Sequence, residues 1–531
     1  MTEKTSAQDR VAAIRDGYAT DAPALTLGAA VVEDEIHADA PVKLPLGMMN
    51  RHGLVAGATG TGKTITLQVM TEQLSAAGVP VFVADIKGDL TGLITAGEGS
   101  EKLLARTKSV GMDWSASAFP VQFLALGGDG NGTPVRASVT SFGPLLLSRV
   151  MDLNQTQESS LQLIFHYADQ RGLLLDDLKD LRAVITHLTS DEGKADLKEL
   201  GGLSSATAGV ILRGLVNLEA QGLDQFFGLP EFDPADLLRT DANGQGIISS
   251  LELPTLLEKP LLTSTFMLWL LADLFHDLPE VGDAEKPKLV FFLDEAHLLF
   301  DGASKAFLEQ IETTVRLIRS KGVGLFFVTQ NPTDLTQDVL GQLANRVQHA
   351  LRAFTPDDAK DLKATVSTYP KTDYDLAEVI TTLGTGEAIV TVMTETGAPS
   401  PVARTKLFSP RSRMGASDAA AVQAAVAGSE LQGKYATAQD RESAYEKLQD
   451  APAAGTPSGG GAQDEEAAKI ERDINGDGGL TLPPAPAPKQ RSSRAATPGD
   501  QFGKAAASVL ETLGKEIVRG LFGTSRSRRR R

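Results

Sequence analysis

Short apolar segments alternate along the chain with segments whose apolar residues recur every three or four positions. The segments that predict strands occupy residues 52–57, 79–86, 120–126, 246–253, 288–297 and 323–330, with weaker candidates at 25–32 and 40–46. Apolar runs without alternation are typical of strands buried on both faces of a sheet. Helical spacing at 65–74, between two such runs, predicts a strand–helix–strand unit and therefore parallel strands.

Between residues 143 and 245 the pattern changes to long segments with helical spacing, for example SLQLIFHYADQ and TAGVILRGLVNLEAQ. Such spacing predicts amphipathic helices and hence an all-helical insertion in the α/β core. A structural cap or an oligomer contact is the preferred role for this insertion, ahead of direct substrate binding. Apolar runs at 347–354 and 386–393 predict a last pair of strands.

These patterns divide the 531 residues into a folded core and appended segments. The predicted fold class is α/β, with a RecA-like P-loop core and a mainly parallel sheet. Pro, Gly and Ala enrichment after residue 450 predicts a disordered linker. The predicted divisions are a β-rich segment 1–50, core parts 51–142 and 246–410, the helical insertion 143–245, a helical extension 411–450, the linker 451–500, and an amphipathic helix with an arginine-rich tail at 501–531.

Composition and charge exclude several classes of protein. A net charge of −17 argues against a generally basic DNA-coating surface, although a local basic channel or tail stays open. The chain contains no cysteine, which excludes disulfides and thiolate metal sites. Its N-terminus is polar, unlike a signal peptide, and its longest apolar stretch, 261–275, is too short to span a bilayer. We therefore expect a soluble, cytoplasmic protein.

Residues 57–64, GATGTGKT, match the phosphate-loop pattern G-x-x-x-x-G-K-[ST] between a predicted strand and a predicted helix. At such a junction several backbone N–H groups and the helix dipole converge on an anion. Lys63 is expected to reach the β- and γ-phosphates of ATP, and the Thr64 hydroxyl is expected to bind Mg²⁺. The residues predicted to bind the phosphates are Gly57, Ala58, Thr59, Gly60, Thr61, Gly62, Lys63 and Thr64.

A second motif, LVFFLDEAH, predicts a buried strand that ends in two carboxylates at the sheet edge where α/β proteins bind ligands. Asp294 suits the Mg²⁺ role, and Glu295 suits a general base that polarises the attacking water. Alone, the motif also fits a buried strand followed by a helix start, where acidic residues are stabilising. Its combination with GATGTGKT favours a site that hydrolyses ATP.

Gln330, at the end of the strand 323–330, is a candidate to sense the γ-phosphate or orient water. A strand-end residue that only forms structural hydrogen bonds is the alternative. Phosphoryl transfer also needs positive charge, often an arginine from a neighbouring subunit. The candidates are Arg316, Arg319, Arg346 and Arg352, and Arg319 and Arg346 are preferred as catalytic residues.

The motifs resemble, in their order, the HerA-like branch of the HerA/FtsK ATPase superfamily. The resemblance covers residues 20–415 and rests on GATGTGKT, DIKGDL, LDEAHLLF, IRSKGVGLFFVTQNP and GQLANRVQHALRAFTP. It implies a RecA-like core, hydrolysis of ATP with Mg²⁺, an acidic residue at Asp85, and a hexameric ring that moves DNA through its centre. The chain departs from the family in a shortened N-terminal barrel and in the absence of a recognisable winged-helix domain of FtsK type.

Three functions stay open at this point: a DNA translocase or helicase, an ATP-gated scaffold that binds protein partners, and a protein-translocating ATPase. The last six residues, RSRRRR, form a tail suited to DNA phosphates, an anionic membrane or an acidic partner.

Overall fold

The computed structural model describes residues 6–127, 130–197, 202–252, 260–282, 284–300 and 305–449. The strands in these ranges are β1 (Ala24–Val32), β2 (Glu35–Pro45), β3 (Gly53–Ala56), β4 (Val81–Asp85), β5 (Val121–Leu126), β6 (Thr133–Val135), β7 (Ile248–Glu252), β8 (Leu289–Leu293), β9 (Val323–Thr329), β10 (Asn345–Gln348), β11 (Glu387–Thr391) and β12 (Ala403–Leu407). The α-helices are α1 (Ala7–Gly17), α2 (Lys63–Ala76), α3 (Glu101–Ser109), α4 (Val139–Val150), α5 (Gln155–Gln170), α6 (Leu178–Thr189), α7 (Gly193–Leu197), α8 (Ser205–Ala220), α9 (Pro260–Asp277), α10 (Lys305–Ile318), α11 (Gln337–Leu340), α12 (Pro356–Val366), α13 (Leu376–Thr382), α14 (Ala419–Ala427), α15 (Glu430–Tyr435) and α16 (Ala444–Gln449).

The strands form one mixed sheet in the order β2-β1-β12-β11-β10-β3-β9-β8-β4-β7-β5-β6. From β10 to β6 in this order, neighbouring strands are parallel. From β2 to β10 they are antiparallel. The prediction of an α/β fold with a mainly parallel sheet is therefore confirmed.

Helices cover both faces of the parallel part of the sheet, as the unbroken apolar runs require. On one face, Leu67 and Met70 of α2 join Val83 of β4 in a single apolar cluster. The adjacent residue Phe82 faces the other way, because successive side chains of a strand alternate between faces. Its ring centroid lies 6.5 Å from that of Phe266 on α9.

The strands predicted from apolar runs are present, with two differences at the antiparallel end. The predicted strand 347–354 ends at Gln348, where the chain leaves the sheet. The strand β12 was missed, because ARTKL alternates buried and half-buried residues and contains no continuous apolar run. It pairs with β1, so the strands of the N-terminal segment belong to the same sheet as the core.

One helix absent from the predictions occurs at the N-terminal end of the described chain. The segment 1–50 was expected to be β-rich, yet it also contains α1, which Ser6 caps by accepting a hydrogen bond from the Asp9 N–H. Helices α4 to α8 lie where helical spacing predicted them. The predicted linker 451–500 and terminal helix with its arginine tail lie outside the described residues.

Among the residues that the structure describes, every helix is too short or too polar to cross a bilayer.

Candidate functional site

The phosphate-loop motif connects β3 to α2 at the carboxyl edge of the parallel strands. Its backbone is held by hydrogen bonds to residues at the ends of neighbouring strands. The Gly57 N–H donates to the Thr329 carbonyl of β9 at 3.2 Å, and the Ala58 N–H donates to Ala350 O at 2.8 Å. Thr61 O accepts from the Gly386 N–H at 3.1 Å. The loop is thus fixed by hydrogen bonds to three segments: the end of β9, the residues after β10 and the residue before β11.

Two glycines in the loop are required by their surroundings. A Cβ added to Gly57 would lie only 2.5 Å from the Cβ of His349. Gly62 precedes α2 with φ at 114°, a conformation that L side chains rarely adopt. These two constraints explain why glycine occupies positions 57 and 62 of the motif.

Lys63 is buried at the start of α2, and its Nζ donates to the Gly57 carbonyl at 2.6 Å. Burial lowers the pKa of Lys63, while the carboxylates of Glu295 and Asp294 oppose that shift. The lysine and the two predicted carboxylates therefore lie within electrostatic reach of one another. Thr64 follows in the first turn of α2 and is half-buried.

The two predicted carboxylates are buried directly after β8. Glu295 adopts a left-handed backbone conformation, with φ at 45°, and its N–H donates to Asp294 Oδ1 at 3.0 Å. Non-glycine residues in this conformation are uncommon and cluster at functional sites. Burial, and then the neighbouring Glu295 charge, raise the pKa of Asp294 to about 6.

Three side chains surround the Glu295 carboxylate. Lys87 Nζ is 2.6 Å from Oε1, whereas Gln330 Nε2 and His297 Nδ1 each lie 3.5 Å from Oε2. Burial would raise the pKa of Glu295, but the hydrogen bond and charge of Lys87 outweigh it and the pKa is lowered. The side chain of Gln330 therefore lies next to Glu295, the predicted general base.

Asp85 and Glu252 form a second pair of buried acids at this edge, in register on β4 and β7. Asp85 accepts hydrogen bonds from the N–H groups of Gly88 and Leu90, at 2.8 and 2.9 Å, and so shapes the loop that carries Lys87. Burial, and then the Asp85 charge, raise the pKa of Glu252 to about 7. Sequence reasoning singled out Asp85 without a role and missed Glu252.

His349 lies beneath the phosphate loop and was also missed. It is fully buried, and its Nε2 is 2.9 Å from the Thr66 hydroxyl of α2. Burial, and then the positive charge of Lys63, lower the pKa of His349 to about 4. The imidazole is therefore neutral at pH 7 and supports the loop by packing. Its only sequence signal was its place after a short apolar strand.

The four arginine candidates are spread over α10, the turn before β9, β10 and the segment after β10. Arg319 is exposed in the turn before β9. Because β9 runs parallel to β3, that turn is at the sheet edge opposite the phosphate loop. Arg346 lies within β10 and donates to the carbonyls of Leu343 and Leu340, at 3.3 and 3.4 Å. The other two candidates, Arg316 and Arg352, are exposed.

A cleft of about 290 Å³ opens beside the phosphate loop, between α2 and α3. Its lining is mostly apolar and includes Gly62, Ile65, Leu103, Phe408 and Arg106. Arg106 is held in the wall by hydrogen bonds to the carbonyls of Gly386 and Leu407, each at 3.2 Å. Apolar clefts with a few placed polar groups are typical ligand sites.

Comparison with known proteins gives one family match. The model described as "Helicase HerA-like C-terminal" matches residues 31–531. A curated relative, the DNA double-strand break repair helicase HerA of Sulfurisphaera tokodaii, is 22% identical over 363 residues. The alignment covers 67% of this chain and 65% of the relative, so the chain spans slightly less than two thirds of that protein.

Two solved structures share the fold at low sequence identity. The bacterial conjugative coupling protein TrwBdeltaN70, in an unbound form, matches with a TM-score of 0.50 and 16% identity, over 78% of this chain and 95% of that one. The plasmid coupling protein TrwB in complex with a non-hydrolysable ATP analogue matches with the same TM-score and identity, over 75% and 99%. At this identity the likeness shows the fold alone.

Proposed function

We infer that this chain, which belongs to the helicase HerA-like C-terminal family, is an ATP-hydrolysing motor that acts on DNA as a homo-oligomeric ring. The family match confirms the resemblance seen in the motifs. The observation that carries the proposal is the gathering of Lys63, Glu295 and Gln330 at one edge of the sheet. A phosphate-binding cation, a general base and a polar amide are the groups that ATP hydrolysis requires.

The phosphate loop would bind the nucleotide through its backbone N–H groups, with Lys63 exchanging the Gly57 carbonyl for phosphate oxygens. The buried carboxyl of Asp294, whose pKa burial raises, and the Thr64 hydroxyl are oxygen donors suited to Mg²⁺. When bound, that ion would neutralise charge on the phosphates. Glu295 would accept a proton from the attacking water, and Gln330 would orient that water.

We propose that the cleft beside Gly62 accepts the nucleobase. It adjoins the first turn of α2, so a base placed there stays connected to phosphates held by the loop. The apolar side chains would cover the faces of the base, and Arg106 would contact its polar edge.

The position of Arg319, at the sheet edge opposite the phosphate loop, supports assembly into a ring. Arg319 cannot reach the phosphate loop of its own subunit, because it lies at the opposite edge of the sheet. It is exposed and therefore accessible to a neighbouring subunit. We propose a hexamer in which Arg319, ahead of the internally bonded Arg346, completes the site of the next subunit.

DNA is the proposed cargo, because the Sulfurisphaera tokodaii relative is named a DNA repair helicase. The net charge of −17 would restrict DNA contacts to a local basic surface, such as a channel or the arginine-rich tail. We propose that the protein works in the cytoplasm, where ATP and DNA are both present.

ATPase rates of the full chain, measured with and without double- and single-stranded DNA, test this function. We expect stimulation by DNA and a native mass that corresponds to a ring, with Glu295→Gln as the inactive control. Hydrolysis that ignores DNA would contradict a DNA motor and favour an ATP-gated scaffold or a protein-translocating ATPase. Absence of hydrolysis would contradict the enzyme itself.

A further inference from the structure

Lys87 lies on the loop after β4 and contacts the carboxylate proposed as the general base. Its Nζ is 2.6 Å from Glu295 Oε1. The lysine side chain is 44% exposed, whereas the glutamate side chain is 7% exposed. The contact therefore joins a buried carboxylate to an ammonium group that is exposed enough to move to another partner.

The backbone that carries Lys87 is held in place. The buried Asp85 carboxylate accepts from the Gly88 and Leu90 N–H groups, and the Thr91 hydroxyl donates to Gly88 O at 2.9 Å. Gly88 takes a left-handed conformation, with φ at 71°. With the loop restrained, a change of partner by Lys87 needs only rotation of its four-carbon side chain.

Lys87 lies among charged groups of both signs. Two ammonium groups, Lys63 and Lys87, lie within electrostatic reach of the carboxylates of Asp294 and Glu295. A triphosphate at the phosphate loop would bring several further negative charges next to Lys63. While Lys87 occupies Glu295 Oε1 at 2.6 Å, that oxygen is not available to a water molecule, so the Lys87 contact and the proposed work of Glu295 oppose each other.

We propose that Lys87 senses the γ-phosphate: it contacts Glu295 before a triphosphate binds and transfers to the γ-phosphate when one binds, which frees Glu295 to accept a proton from water. This inference rests on the proposed ATPase function. Because the exchange requires a third phosphate, Lys87 distinguishes ATP from ADP.

Calorimetric binding to the full chain tests the contact between Lys87 and the γ-phosphate without hydrolysis. In a Glu295→Gln background the ion pair is absent, so the Kd values of ADP and of a non-hydrolysable ATP analogue, each with Mg²⁺, report phosphate contacts directly. Adding Lys87→Met should reduce the preference for the triphosphate by about tenfold, as expected for one charge-assisted hydrogen bond. The Kd of ADP should change little, and Lys87→Arg should keep part of the preference.

Lys360→Met, on the exposed surface of α12, is the matched control and should leave both Kd values unchanged. An unchanged ratio of the two Kd values in the Lys87→Met variant would overturn the role of Lys87 while leaving the ATPase proposal intact. Equal weakening of ADP and the triphosphate would also overturn it, since a general field effect does not sense the γ-phosphate. Failure of the parent variant to bind either nucleotide would instead overturn the proposed function, and with it this inference.

Discussion

At the scale of single residues, the side chains of Lys63, Asp294 and Glu295 in the candidate site are buried and paired with other protein groups. Lys63 donates to a loop carbonyl and Glu295 accepts from Lys87, so each has a protein partner, and we propose that substrate replaces both partners. Sequence spacing identified Lys63, Asp294, Glu295 and Gln330, because each belongs to a contiguous motif. Lys87 stood within the DIKGDL segment, yet its partner is 208 residues away in the chain.

Glu295→Gln should lower kcat by roughly 10²- to 10⁴-fold, the usual contribution of a general base. The amide keeps the size of the carboxylate, so ATP binding should persist. Steady-state ATPase rates and nucleotide titrations separate the two effects. Glu309→Gln, on the exposed side of α10, should behave as wild type, and a fully active Glu295→Gln enzyme would contradict the assignment of the base.

Glu252 predicts a pH dependence of stability. Its pKa is raised from 4.5 to about 7 in the folded protein by burial and Asp85, so the folded state binds this proton more tightly than the unfolded state. The resulting stabilisation is complete below pH 4.5 and is lost as pH rises through about 7. Glu252→Gln, which cannot ionise, should therefore exceed wild type in stability at pH 8, by at most roughly 3.5 kcal/mol at about 1.4 kcal/mol per pKa unit.

Urea denaturation without nucleotide, at pH 5 and pH 8, measures this difference. The gain should be much smaller at pH 5. An exposed control, Glu280→Gln, should show no such trend, and an equal gain at both pH values would refute the role of ionisation.

At the scale of elements, continuous apolar segments in the sequence predict the parallel strands. They do not predict all of the antiparallel strands at the other end of the sheet. The strands β3, β4, β8 and β9 are buried along their whole length, which is why simple runs predicted them. In contrast, β12 alternates between buried and half-buried residues, and its assignment depends on pairing with β1 and β11. Local pattern carries little information about such pairing.

Phe291→Ala should destabilise the sheet by about 3–5 kcal/mol, as is usual for removal of a fully buried aromatic ring. Phe291 is fully buried on β8, and its ring lies 4.9 Å from that of Phe82. Phe354 is 83% exposed, so Phe354→Ala should change stability by no more than about 0.5 kcal/mol. Denaturation midpoints of the two variants should differ accordingly, and similar midpoints would contradict the packing described for β8.

At the scale of the whole molecule, one sheet places the phosphate loop and Arg319 at opposite edges. A single subunit therefore holds Lys63, the two carboxylates and Gln330 at one edge, while Arg319 is exposed at the other edge. Because of this separation, Arg319 could reach a phosphate loop only in a neighbouring subunit of an assembly.

Mixing two inactive variants tests assembly. Lys63→Ala should lose nucleotide binding but keep its arginine, and Arg319→Ala should keep its phosphate loop but slow hydrolysis in its neighbours. A mixture should hydrolyse ATP faster than either variant alone, because some sites then combine an intact loop with an intact arginine. Arg213→Ala, on the exposed side of α8, is the control, and wild-type activity of Arg319→Ala would exclude it as the supplied residue.

The sequence by itself determined the phosphate loop, the carboxylates after β8, Gln330 and the parallel strands, because each is encoded by residues adjacent in the chain. Only the tertiary structure decided that Lys87 contacts Glu295, that His349 lies under the loop, and that Arg319 lies at the far edge. Those relations depend on strand order and direction, which arise from packing between segments far apart in sequence. Local spacing thus specifies the chemical groups, and the sheet specifies which of them meet.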